Sequence, residues 1–221
     1  MSTLPNGMLF VATNVAEKDE ADFNQWYDRE HVEERVRIDG FLSGTRYQLI
    51  GATGQGRKYL GLYQTESLNS FSTDAYRAAF TRQTPWSVAS LDKMINPMRR
   101  VCAVEAVIGF GSGRHLAIIP LASHVAGEAL TARIAHLGET LFAQPGFIRS
   151  RLLTPDVSLS SPLPKESAED RPMIPMMLID SSSAESCQKL TELACQALHI
   201  PNTEALHYGL SWQLTAQELK S

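Results

Sequence analysis

A glutamate and a histidine stand side by side early in the chain, at Glu30 and His31. An imidazole titrates near neutrality, and a neighbouring carboxylate favours its charged form and helps to orient the ring. Such a pair can transfer protons in general acid/base catalysis. The sequence therefore makes His31 a candidate general acid or base, with Glu30 as the residue that orients it.

The residues around this pair predict a helix that begins near Asp19 and runs to about Glu34. A helical turn of roughly 100° per residue places Glu30 inside an apolar stripe, with His31 on its edge beside Tyr27. A carboxylate within such a stripe marks either a helix end or a working site. Two interpretations stay open, an acid/base site or solvated and capping groups near a helix terminus. The stripe consists of Phe23, Trp26, Tyr27, Glu30 and Glu34.

Other polar and aromatic residues are weaker candidates. Arg46 lies on a predicted strand, 41–50, where it either binds an anionic group or serves a surface or interface role. Tyr59 and Tyr63 share one face of the next strand and either line a pocket or pack in the core. The histidines at 115, 124, 199 and 207 lack the spacing of a metal site, and no metal is expected.

The order of predicted elements is β-α-β-β-α-β, and it occurs twice. The first set covers residues 1–110 and the second 114–221, with the glycine-rich segment 109–113 as linker. Gly40-Phe41 and Gly146-Phe147 occupy the same helix-to-strand junction in the two sets. A polar segment, 155–172, delays the third strand of the second set, and no role is assigned to it.

The predicted fold class is therefore α+β, with tandem ferredoxin-like repeats. A single sheet of this type exposes one face, so two repeats in one chain are expected to pack sheet to sheet and close a shared, internal barrel-like core. The protein would then be a monomer with an internal pseudo-dimer, or a homodimer through another surface.

Composition excludes several classes of partner. Acids and bases are intermixed, with a formal net charge of −4, so no basic block is available for nucleic acid. The apolar run 8–15 is too short for a membrane span and lacks the basic start of a signal peptide. The three cysteines lack metal-ligand spacing and indicate a reducing compartment. A cytoplasmic location is expected.

A resemblance to a known family rests on a longer motif. The stretch Phe23-Asn-Gln-Trp26-Tyr27-Asp28-Arg29-Glu30-His31-Val32, followed by Gly40-Phe41-Leu42 and Arg46-Tyr47, resembles the tryptophan-tyrosine and glutamate-histidine motif of EthD-like proteins. These proteins belong to the dimeric α/β barrel superfamily. The resemblance covers roughly 22–47, extends loosely to 58–60 and 84–86, and reaches the second half only in element order.

The resemblance implies a pocket between sheet and helices in which the histidine acts on small organic molecules. When the site residues of the family are transferred to the matching positions of this sequence, the implied catalytic residues are His31, Glu30 and Tyr27. Trp26 belongs to the same implied site. With the residues considered above, the expected substrate-binding set is Trp26, Arg46, Tyr59 and Tyr63. Two departures stand out: Glu33 replaces a proline common after the histidine, and the second repeat has only His136 near the matching position.

The expected function is that of a cofactor-independent enzyme that uses acid/base chemistry on a small aromatic, polyketide-like or lactone metabolite. Isomerase, cyclase, lyase and cofactor-free oxygenase reactions all fit the resemblance. A non-catalytic, ligand-binding or stress-associated barrel is an alternative, and a haem-binding protein is another, in which a histidine in an apolar pocket would ligate iron. No cofactor is expected under the first hypothesis.

Overall fold

The computed structural model describes residues 5–51, 56–124, 126–167, 169 and 171–220. The glycine-rich stretch 51–56 is predicted from the sequence as a loop or hairpin turn. Most of it, and two residues of the 155–172 segment, lie outside this set. The strands are β1 (Gly7–Val15), β2 (Phe41–Leu49), β3 (Tyr59–Thr65), β4 (Met94–Gly109), β5 (His115–Pro120), β6 (Phe147–Pro155), β7 (Met176–Ser181) and β8 (Leu206–Thr215). The helices are α1 (Glu20–Trp26), a π-helical turn (Tyr27–His31), α2 (Val32–Val36), α3 (Asp74–Thr81), α4 (Pro85–Asp92), α5 (Glu128–Phe142) and α6 (Ala184–Leu198).

The strands form one closed antiparallel barrel in the order β1-β3-β2-β8-β5-β7-β6-β4. The first four strands and the last four have the same internal order, and they join where β2 pairs with β8 and β4 with β6. The predicted α+β class is confirmed, and the barrel closes within one chain. The division into two superposable repeats stays a prediction.

Alternation along the strands gives the barrel an inner and an outer face. Side chains such as Phe10, Leu60 and Tyr208 fill the lumen. The outer face of the first half is covered by α1, the π turn, α2, α3 and α4, and that of the second half by α5 and α6. All three cysteines are buried and free, as expected for small buried side chains.

Helix boundaries follow local chemistry. Thr84 caps α4, accepting a hydrogen bond from the Ser87 N–H at 3.0 Å, and Pro85 occupies the first helical position. The stretch 84–86 is therefore the start of a helix. β4 begins at Met94 and pairs with β1 from there to Ala103.

Candidate functional site

The π turn decides which side chains of the first helical run face inward. The Val32 N–H donates to the Tyr27 carbonyl, five residues back, and this wide turn rotates the following residues by about 100° relative to an unbroken α-helix. As a result Arg35 is buried and Glu34 is exposed. The prediction that Glu34 lies on the buried stripe is wrong, because it assumed regular α-helical geometry.

His31 lies in an aromatic enclosure and is only 7% exposed. Its ring centroid is 4.3 Å from that of Trp26, 5.0 Å from that of Tyr27 and 6.1 Å from that of Tyr63. Nδ1 is buried without a hydrogen-bond partner among the described residues, whereas Nε2, also unpartnered there, is not fully enclosed. His31 therefore presents Nε2 as the more accessible ring nitrogen.

The imidazole of His31 is held neutral. Burial lowers its pKa well below the ordinary 6.5, and the nearby guanidinium groups of Arg35 and Arg46 lower it further. A neutral imidazole can accept a proton at one nitrogen while the other carries the N–H. The electrostatics therefore keep His31 in the form that can accept a proton, and not in the form that can donate one from both ring nitrogens.

A cavity of about 500 Å³ opens beside His31. Its size falls within the usual range for small-molecule sites. Two residues of β1 contribute to one wall, Tyr27, His31 and Arg35 line another, and a segment that follows β6 covers a third. The lining residues are Leu9, Val11, Tyr27, His31, Arg35, Phe80, Gln83, Leu91, Met94, Arg99, Ser161, Pro162, Leu163, Pro164 and Glu166.

Two arginines give this cavity a positive character. The guanidinium carbons of Arg35 and Arg99 each lie 5.3 Å from the ring centroid of Phe80. Nη1 of Arg35 and Nε of Arg99 are buried and have no hydrogen-bond partner among the described residues. Unsatisfied donors of this kind match a ligand that carries an oxyanion or a carbonyl oxygen.

The carboxylate of Glu166 does not cancel these charges, because other arginines hold it. Arg100 pairs with Glu166, and Arg171 Nε lies 3.0 Å from its Oε1. Burial raises the pKa of Glu166, but the hydrogen bonds from Arg100 and the Leu163 N–H and the nearby charge of Arg171 outweigh it and keep that pKa below its usual value. The cavity thus retains an excess of positive charge.

The segment that follows β6 reaches across to the first half of the chain. Arg99 Nη1 donates to the carbonyl oxygens of Leu159 at 3.0 Å and Ser161 at 2.9 Å. Ser160 Oγ accepts from the Val101 N–H at 2.9 Å. These bonds hold the segment over the cavity, so the sequence stretch to which no role was assigned completes the site.

Glu30 lies outside the cavity beside His31. Its Oε1 accepts hydrogen bonds from Thr84 Oγ1 at 2.5 Å and Ser87 Oγ at 3.0 Å, and Ser87 Oγ also accepts from Trp26 Nε1 at 3.0 Å. A carboxylate beside the N-terminus of α4 complements the helix dipole. The expectation that Glu30 orients His31 is therefore wrong, and neither Glu30 nor Trp26 lines the cavity.

Arg46 and Tyr59 belong to a polar cluster outside the cavity. Arg46 donates to Asp28 Oδ1 at 2.7 Å and to Asn24 Oδ1 at 2.9 Å, and its guanidinium lies 4.3 Å from the Tyr27 ring centroid. Tyr59 accepts a hydrogen bond from the Asn24 amide. Because these contacts engage the Arg46 guanidinium, Arg46 supports the packing of Tyr27. The expectation that Arg46 contacts a substrate in this cavity is therefore wrong.

Tyr63 packs edge-on against His31 and does not line the cavity. Burial raises the pKa of its hydroxyl well above 10, so the phenol is neutral. Of the seven predicted site residues, the structure places Tyr27 and His31 on the cavity wall, and Trp26 and Tyr63 pack directly against His31.

Sequence reasoning missed Arg35, Phe80 and Arg99. Arg35 follows His31 by four residues, a spacing that places two side chains on one helix face and was available from the sequence. Arg99 contacts the segment that follows β6 only because the fold brings the two together, and no local sequence pattern predicts that contact.

No group of three potential metal ligands occurs among the described residues. Within the same part of the chain, no helix has the length and apolar character needed to cross a membrane. His136, the histidine near the matching position of the second half, has an 84% exposed side chain on α5.

Comparison with known proteins identifies the fold. No family model matches the chain, and no curated protein matches it in sequence. An anthrone oxidase-like protein shares 12% identity with a TM-score of 0.61, covering 96% of this chain and 93% of that one. A candidate monooxygenase from Fusobacterium nucleatum shares 11% identity with a TM-score of 0.58, covering 97% and 96%.

A mutant chlorite dismutase from Candidatus Nitrospira defluvii, in complex with cyanide, is also similar. It shares 12% identity with a TM-score of 0.52, covering 94% of this chain and 91% of that one. These similar structures have the dimeric α/β barrel fold, which agrees with the fold that the motif implied. Identities this low establish the shared fold alone, and the narrower EthD-like resemblance stays a prediction.

Proposed function

We propose that this chain is an enzyme that removes a proton from an acidic carbon of a small aromatic, polyketide-like or lactone metabolite, with His31 as general base. The observation that carries the proposal is a neutral, enclosed imidazole that borders a cavity together with unsatisfied arginine donors. The names of the similar structures, an anthrone oxidase-like protein and a candidate monooxygenase, support chemistry on such molecules.

The proposed step is the transfer of one proton from a carbon atom of the substrate to His31. His31 Nε2 takes the proton from the acidic C–H, and the electron pair of that bond moves onto the conjugated carbonyl oxygen. The products are an enolate or phenolate and an imidazolium. The new negative charge offsets the repulsion from Arg35 and Arg46, so the proton on His31 costs less free energy with substrate present than without it.

Arg35 is the residue placed to stabilise the oxyanion. Its guanidinium belongs to the cavity lining, and its position on the same helical run as His31 puts a cationic group along the same wall. Charge-assisted hydrogen bonds are stronger where water is excluded. Returning the proton to a different carbon would complete an isomerisation, and the same enolate is the common intermediate for lyase and oxygenase outcomes.

Turnover assays with a panel of carbon acids test this function. The panel contains anthrone, an aromatic 1,3-diketone and an unsaturated lactone, followed by absorbance and dioxygen uptake. We expect turnover of at least one class, and a loss of about 10²- to 10⁴-fold in His31→Gln, the usual contribution of a placed general base. His136→Gln, an exposed matched control, should keep wild-type rates. Binding without turnover by the wild-type protein would favour the non-catalytic alternative.

Haem binding is the alternative that the chlorite dismutase similarity raises. A histidine that ligates a metal normally donates its second ring N–H to a carbonyl or carboxylate, which fixes the ring. Nδ1 of His31 has no such partner among the described residues, and aromatic rings surround it. His31 therefore does not fit the role of a proximal haem ligand. A Soret band in protein purified after haem addition, lost in His31→Gln, would contradict this conclusion.

A further inference from the structure

The barrel lumen contains a second, polar cavity. It measures about 250 Å³ and lies at the end of the lumen near the linker between the two halves. A neighbouring cavity of about 200 Å³ shares Gln64, Arg149 and Arg151 with it. The remaining polar lining comes from Ser43, Thr45, Tyr47, Ser112 and Gln213.

Two arginines and one carboxylate meet at this end of the lumen. Arg149 Nε and Arg151 Nη2 each lie 3.4 Å from Oδ2 of Asp180, whose Oδ1 accepts the Gly113 N–H at 3.2 Å. The Arg151 side chain is 4% exposed, and that of Asp180 is fully buried. The three side chains together carry one excess positive charge.

An excess charge in this position is costly unless it is compensated. Removing a cation from water carries a free-energy cost that a partner anion repays. Nε of Arg151 is buried and has no hydrogen-bond partner among the described residues. Burial, together with the charge of Arg151, lowers the pKa of Arg149. Both features show that Asp180 satisfies the pair incompletely.

The surrounding groups supply further donors. Burial and the charge of Asp180 raise the pKa of Tyr47 to about 12, so its hydroxyl keeps its proton at neutral pH. Hydroxyl and amide side chains from β2, β3 and β8 face the same space. An arginine fork with neutral donors around it matches the planar or tetrahedral oxygens of an anion.

We propose that this end of the barrel lumen binds a small oxyanion, a carboxylate or a phosphate, held by Arg149 and Arg151. The site is separate from the cavity beside His31, because its residues face the lumen while His31 packs on the outer face of the barrel. The proposal does not depend on the proposed function.

Calorimetric titration of the full chain with inorganic phosphate, and separately with succinate, tests the proposal in chloride buffer of constant ionic strength. We expect saturable binding of one equivalent of at least one probe, and comparing the two separates a phosphate from a carboxylate ligand. Arg149→Gln should weaken that binding about tenfold or more, because it removes a charge-assisted donor. Arg77→Gln, an exposed arginine on α3, is the matched control and should bind as wild type does.

Arg35→Gln identifies which cavity is occupied. Binding in the lumen predicts an unchanged affinity for the probe in this variant, whereas a loss there would place the anion beside His31 and overturn the proposal. Absence of saturable binding of both probes by the wild-type protein would also overturn it, as would an unchanged affinity in a folded Arg149→Gln. If Arg149→Gln does not fold, wild-type crystals soaked in selenate replace it: an anomalous peak at Arg149 and Arg151 supports the site, and its absence rejects it.

Discussion

Acid should destabilise this protein through His31. The folded protein holds the imidazole neutral because its pKa lies well below 6.5, whereas the unfolded chain takes up a proton near pH 6.5. Between these two pKa values the unfolded state binds more protons, so the free energy of unfolding falls as pH decreases. The contribution is fully present above pH 6.5 and is lost progressively below it.

The size of the effect follows from that linkage. One group held neutral in the folded state loses about 1.4 kcal/mol between pH 7.5 and pH 5.5. For a chain of this length, that corresponds to roughly 3–6 °C in melting temperature. Burial also lowers the pKa values of His115, His124 and His207, so part of the wild-type pH dependence comes from them.

Urea denaturation at the two pH values isolates His31. The free energy of unfolding of His31→Gln should depend less on pH than that of the wild-type protein, by about 1.4 kcal/mol over this interval. His136→Gln, measured in parallel, controls for the loss of an exposed imidazole. Equal pH dependence in His31→Gln and wild type would refute the neutral, buried state of His31, whatever the absolute stability of the variant.

Variants at three further residues, Glu30, Arg35 and Arg99, test other parts of the site. Glu30→Ala should lose about 2–3 kcal/mol of stability, because it leaves the hydroxyls of Thr84 and Ser87 without their acceptor. Glu30→Gln should lose less stability in urea melts, and its folded protein should keep the wild-type specific activity. A 10²-fold loss of activity in Glu30→Gln would instead show that Glu30 takes part in catalysis. Arg35→Gln should raise the pKa of His31, measured by NMR, because it removes a nearby cation, and an unchanged pKa would contradict the assigned electrostatics. Arg99→Met should speed proteolysis between residues 156 and 172, because it removes the bonds that hold this segment, while Arg77→Met should not; equal cleavage rates would show that the segment is held by other contacts.

Periodicity and turn chemistry predicted most of the fold. The predicted strand 41–50 matches β2 to within a residue at its end. Such an element obeys local rules, because the alternation of its two faces acts over a few positions. The closed barrel followed from the need to cover the open face of each sheet.

The site was less accessible to sequence reasoning because it depends on two non-local features. The π turn at 27–31 changes which residues of the first helical run face inward, and regular helical geometry assigned Glu30 and Glu34 to the stripe that Arg35 joins in the structure. The segment 159–166 covers a cavity of the other half of the chain. Its contact with Arg99 joins residues about 60 positions apart, a relation that pattern analysis of short windows does not detect.

Exchange of a carbon-bound proton with solvent tests the central claim most directly, because it isolates the step assigned to His31. Under anaerobic conditions in deuterium oxide, NMR follows the loss of the acidic C–H signal of anthrone, the aromatic 1,3-diketone and the unsaturated lactone. We predict that wild-type protein and His136→Gln accelerate exchange of at least one of these compounds equally. With His31→Gln, the exchange rate should be no more than about 10²-fold above the rate in buffer. Exchange at the buffer rate for all three compounds with wild-type protein, or undiminished acceleration by folded His31→Gln, would contradict the account.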